Sequence, residues 1–129
     1  MIRAICTYLQ QQGCGTIGTD LFAGAFPSST ALGTAVQETG PEMPRLKVGG
    51  VISTAKQVQL LTRGKTYEGA RQTARAAAAA LLGKVGLAWS GWQIAAIDGV
   101  MPQYIGPDEK GFHTFSANLM VYGKETNSV

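Results

Sequence analysis

The sequence predicts an α+β fold: a mostly antiparallel sheet with two main helices packed on it. Three observations carry that expectation. Ile2 to Leu9 and Tyr67 to Leu82 repeat apolar or alanine positions at helical spacing. Gln57 to Arg63, Trp92 to Asp98 and Phe112 to Tyr122 alternate at strand spacing. Glycines and prolines punctuate the stretches between them. The chain has 129 residues, which suits a single domain spanning 1–129.

Ile2, Ile5, Cys6 and Leu9 mark one face of a short first helix, closed by Gly13. Gly13 to Phe22 is rich in glycine and looks at first like a phosphate-binding loop. Phosphate loops run strand, glycines, helix; here a helix precedes and a β-like segment, Thr16 to Phe22, follows. No Lys-Ser or Lys-Thr pair follows Gly18, so the glycines are expected to shape a turn. Ala25 to Ser29 is a loop and Ala31 to Glu38 a second strand.

Gly40 to Pro44 carries two prolines, which argues against regular structure there. Lys47 to Thr54 is a candidate hairpin arm. In the next strand Val58, Leu60 and Thr62 share one face. Thr66 is placed to cap the second helix, whose buried stripe is expected to be Tyr67, Ala70, Ala74, Ala77, Ala78, Leu81 and Leu82. Alanine is the best helix former, and Ala76 to Ala80 is unbroken. Trp92, Ile94 and Ala96 should alternate with Gln93, Ala95 and Ile97. Gly99 to Gly111 reads as a turn-dense connection. In the last strand His113, Phe115, Ala117, Leu119 and Val121 face one way, and the tail from Gly123 onward is expected to fray.

Eleven basic residues against eight acidic give a net charge of +3, mild for a nucleic-acid binder. Arg63, Lys65, Arg71 and Arg75 form the one local excess, and a solvated helix face is its ordinary reading. No run reaches the roughly eighteen apolar residues of a membrane span. Without a signal-peptide pattern, Cys6 and Cys14 are expected to be free thiols in a reducing compartment.

The chemistry-bearing residues are sparse. His113 is the single histidine and lies in a strand row, where a packed sheet residue is the plain expectation. Two cysteines and one histidine do not make a zinc set. Asp108 and Glu109 are adjacent on a turn and point apart; Asp20 and Asp98 form the other carboxylate pair, which the sequence alone does not bring together. Trp89 and Trp92 suit a core edge or an interface better than base stacking. No catalytic, cofactor-binding or metal residue is assigned, and the chain is expected not to be an enzyme.

Several segments taken together resemble the minor capsid and tail-completion proteins of long-tailed bacteriophages, in particular the tail terminators. They are the Tyr8-Leu9 helix, Gly18 to Phe22, Val36 to Gly40, Val58 to Gly64 running into Tyr67 and Ala70, and Pro102 to Gly106 with Asp108, Phe115, Ser116 and Asn118. Each is weak alone; their order and spacing carry the likeness from Tyr8 to Tyr122. The alanine run is heavier than that likeness requires. The resemblance implies a virion structural protein at the head–tail junction, assembled in the host bacterial cytoplasm. It implies a hexameric ring that caps the tail tube and meets the head connector, with DNA passing through unbound and no membrane partner. Gly40 to Gly50 and Gly99 to Gly111 would be loops projecting toward neighbours. Arg63, Lys65, Asp108, Glu109 and Lys110 are the candidate subunit-interface residues. The alternatives are a head-completion or connector protein, a nucleic-acid-binding module using Lys65, Arg71, Arg75 and Trp92, and a small enzyme built on Cys14 or His113.

Overall fold

The computed structural model describes residues 1–40, 43–46, 52–89 and 91–125. Within them run α1 (Ile2–Gln11), β1 (Leu21–Ala23), β2 (Gly33–Glu38), β3 (Met43–Leu46), β4 (Ile52–Gly64), α2 (Tyr67–Leu81), β5 (Val85–Trp89), β6 (Trp92–Gly99), β7 (Gln103–Pro107) and β8 (His113–Glu125).

Two thirteen-residue strands, β4 and β8, organise the sheet. They pair antiparallel from Thr54 opposite Gly123 to Gly64 opposite His113. Each is flanked on its outer side by two shorter strands laid end to end. β2 and β3 share the outer side of β4; β6 and β7 share that of β8. The path β1-β2-β4-β8-β6-β5 completes the order. Every pairing between these strands is antiparallel except β1 with β2, so the sheet is mixed rather than uniform.

Both helices pack on the face that carries Val36, Val58, Leu60, Ala117, Leu119 and Val121, all buried. On α1, Ile5, Cys6 and Leu9 are buried, as their spacing predicts. The helix ends in a Schellman arrangement: Cys14 N–H donates to Leu9 O and Gly13 N–H to Gln10 O, with Gly13 at φ +78°. On α2, Ala70, Ala74, Ala77, Ala78 and Leu81 are buried, and their small side chains bring the helix backbone close to β4 and β8. Thr66 caps it as expected, its Oγ1 accepting from Gly69 N–H at 3.1 Å.

Several expectations need correction. Thr16 to Phe22 is not one strand: Thr16 to Asp20 is a turn in which Asp20 Oδ1 accepts from Thr16 N–H at 2.6 Å, and pairing begins at Leu21. Tyr67 is 46% exposed, not part of the buried stripe. In β6 a bulge between Ile94 and Ala96 shifts the alternation, so Ile97 is buried where Ala96 was expected to be. Gly99 to Gly111 does not project as a loop, because β7 within it pairs with β8. Met43 to Leu46 is a strand despite Pro44; it pairs with β4 on one side alone, where a missing N–H is tolerated. β5 was not anticipated. β8 runs on through Glu125 instead of fraying at Gly123. Residues 41–42, 47–51 and 126–129, parts of the expected central loop, hairpin arm and tail, lie outside the described residues.

Candidate interaction surface

The expected interface residues gather at one end of the sheet, where β4 finishes, β8 begins and Gly64 opposes His113. The turn from β7 into β8 is built around one carboxylate. Asp108 Oδ1 accepts from Lys110 N–H and Phe112 N–H, both at 2.9 Å, and Asp108 N–H donates to Phe112 O at 2.9 Å. Its Oδ2 lies 3.5 Å from Arg63 Nη1. Arg63 in turn donates from Nε to Ala31 O and from Nη2 to Ser28 O, each at 2.8 Å, and its guanidinium carbon lies 4.0 Å from the centre of the Phe26 ring.

Arg63 therefore ties together β4, the loop after β1 and the β7–β8 turn. Its planar fork suits that triple role, because several fixed donors are used at once. Arg63 and Asp108 are spent on internal order; Glu109, Lys110 and Lys65 stand exposed on the frame they make.

Beside this turn lies a half-open aromatic cluster. Tyr104 Oη and His113 Nδ1 are 2.9 Å apart. Tyr67 meets Tyr104 with ring centres 5.0 Å apart and Phe115 at 5.4 Å. Ile105, next along β7, is 55% exposed. Sequence reasoning missed this cluster. Tyr67 comes from the start of α2, and Tyr104 sits between Pro102 and Gly106, where turn chemistry masks a short strand.

The remaining chemistry does not converge. Cys14 Sγ donates to Ala76 O beyond the middle of α2, whereas His113 lies against Tyr67 at its beginning. Burial pushes the Cys6 thiol up to about 11 and raises that of Cys14 as well. Asp20 precedes β1 and Asp98 lies in β6, with β2, β4 and β8 between them. Trp92 is 8% exposed, with Lys56 Nζ 5.3 Å from its ring centre, so it offers no open platform to a base. Arg71 is engaged with Glu68 at 3.3 Å. Among the described residues no group of three or more His, Cys, Asp or Glu is placed to hold a metal ion, and no helix is long and apolar enough to cross a membrane.

Comparison with known proteins gives three results. No curated protein sequence matches. A chain of the virion of a native gene transfer agent particle shares the fold, with a TM-score of 0.60 at 17% identity, over 95% of this chain and 93% of that one. The family described as bacteriophage tail terminator protein matches residues 8–122. That span runs from the last turns of α1 almost to the end of β8, and the chain belongs to the bacteriophage tail terminator family.

Proposed function

We propose that this chain ends tail growth: copies of it close into a hexameric ring that caps the tail tube and offers its other face to the head connector. As a family member it is a tail structural protein of a phage-like virion. The family match across residues 8–122 is the observation that carries the finer reading. The physical form suits it. A ring of identical subunits needs a stiff core and two different surfaces that meet head to tail. The paired β4 and β8 supply the stiffness, and the Arg63-braced turn supplies one exposed surface.

The ring sits at the head–tail junction of a particle assembled in the host cytoplasm. DNA crosses it without sequence-specific contact, which a net charge of +3 accommodates. The chain performs this work by shape, without catalysis, cofactor or metal. The separation of Cys14, held at Ala76, from His113, held at Tyr67 in the first turn of the same helix, supports that part of the reading.

Deleting the chain from a producing strain tests the proposal. The expected particles have tails of unregulated length and heads that fail to join them. Tails of normal, uniform length on joined heads would exclude a terminating role.

A further inference from the structure

The strand registers give the sheet a stepped outline. Near one end, Leu21 stands opposite Thr34, Thr34 opposite Thr62, Thr62 opposite Phe115 and Phe115 opposite Tyr104. Near the other, Pro44 stands opposite Thr54, Thr54 opposite Gly123, Gly123 opposite Ile94 and Ile94 opposite Leu87. The first row crosses β1, β2, β4, β8 and β7; the second crosses β3, β4, β8, β6 and β5. The rows are equally wide, but the second is displaced sideways by one strand. On one lateral edge β1 therefore stands out and β3 is set back. On the other, β5 stands out and β7 is set back. Among the described residues no strand pairs with the outer side of β3 or of β7.

These edges also carry large apolar side chains that the fold leaves in water. Val85 on β5, Val100 between β6 and β7, and Ile105 on β7 are each more than half exposed. On the opposite edge Ile17 is exposed, and it bridges to Leu21 on the side of β1 away from β2. No charged residue occurs from Gly99 to Pro107, and β5 has neither charge nor proline. Native sheets guard an open edge with charge, proline or a covering segment, because a bare one pairs with another chain. Clustered exposed apolar side chains likewise mark an interaction surface.

The outline identifies what covers them. β1 lies level with the recess outside β7, since Leu21 and Tyr104 share a row, and β5 lies level with the recess outside β3, since Leu87 and Pro44 share one. A second copy set alongside in the same orientation, without sliding along the strands, puts each projection into the other's recess at once. Gly18 N–H already donates to Leu21 O at 2.9 Å, so the Ile17 turn meets β7 through side chains. β5 pairs only with β6 among the described residues, so its outer ladder side is open to β3 of the other copy. A copy turned by a two-fold axis also lays β5 beside β7, but it leaves Ile17 and the recess outside β3 bare.

We propose that the β5–β7 edge of one subunit seats against the β1–β3 edge of the next, with Ile17 packed on the Val100–Ile105 segment. The inference rests on the self-assembly reading above and names the edges that perform it. Because the edges differ, the contact is heterologous, and one repeated rotation closes it into a ring.

Site-directed cross-linking tests it. Full-length chains carry Cys14→Ser, which removes the half-buried thiol and leaves only the buried Cys6. One variant adds Ile17→Cys and Ile105→Cys across the proposed contact; another adds Val85→Cys and Ile105→Cys on a single edge. After thermal melts confirm folding, each is treated with a short bis-maleimide in concentrated solution and in purified particles. The first pair is expected to give a ladder of covalent multimers, and the second pair and each single cysteine to give monomer. Ile105→Asp is expected to weaken assembly roughly tenfold by native mass at an unchanged melting temperature. Multimers from the second pair or from a single cysteine overturn the proposal in favour of a two-fold contact. A wild-type chain that assembles while the first pair stays monomeric, or an Ile105→Asp chain that assembles like wild type, overturns the edge contact and leaves ring formation standing. A wild-type chain that is monomeric in both settings removes the self-assembly reading and this contact with it.

Discussion

Thr34 on β2 and Thr62 on β4 face each other inside the core, 0% and 1% exposed, with their hydroxyl oxygens 3.0 Å apart. Each hydroxyl satisfies the other, so removing one strands its partner. Thr62→Val is expected to cost about 1–3 kcal/mol in urea unfolding, and Thr34→Val/Thr62→Val to cost less than the single change. An additive pair would show that the two hydroxyls do not depend on each other. Gly33 is constrained differently: its φ is +122°, and a Cβ there would collide with the backbone of Asp20, whose carbonyl accepts from Thr34 N–H at 2.9 Å. Gly33→Ala should destabilise the fold by about 3 kcal/mol in the same measurement. The thiols give a third residue-level expectation. The thiolate is the reactive form, and Cys6 is buried with its thiol pushed up to about 11, while Cys14 is half-buried. At pH 8 Cys14 should react with a thiol reagent first, and Cys6 only as the chain unfolds. Equal rates in the folded protein would contradict that burial.

At the level of elements, α2 offers the cleanest perturbation. Thr66→Ala removes the hydroxyl that accepts from Gly69 N–H and should lower stability by about 1 kcal/mol, or roughly 4 °C in the melting temperature. An unchanged melt would mean that packing of the alanine face, rather than the cap, fixes where the helix begins. The same helix shows what the sequence makes legible. Long periodic segments such as α2, β4 and β8 could be read because many residues repeat one message. β5 and β7 could not: each has five residues, each is interrupted by glycine or proline, and neither shows a buried face of its own. Ile97 was misassigned because a bulge resets the phase, and nothing in the residue types announces it. Of the interface candidates, Lys65, Asp108, Glu109 and Lys110 read as charges on turns and Arg63 as the end of a strand. The bond network that spends Arg63 and Asp108 on internal order joins segments about thirty to eighty residues apart, and local pattern carries no such information.

At the scale of the whole molecule, the arrangement is a sheet with different chemistry at its two ends. A braced turn and half-open aromatic cluster mark one end; a groove between α1 and β5 marks the other. Such polarity suits head-to-tail assembly, in which every subunit uses both surfaces and a closed ring leaves neither unpaired. Burial of the aromatic cluster is expected on assembly as well: Tyr104→Ala, which removes a ring 36% exposed, should weaken association more than it weakens the folded chain. Paired measurements of native mass and thermal melting separate those effects, and a loss confined to the melt would place the cluster in the core alone. The role itself is tested most directly by electron cryomicroscopy of purified particles. Six copies of this chain in a closed ring at the head-proximal end of the tail tube are expected. Its absence from that position, or its presence there as a single copy, would contradict the proposed function.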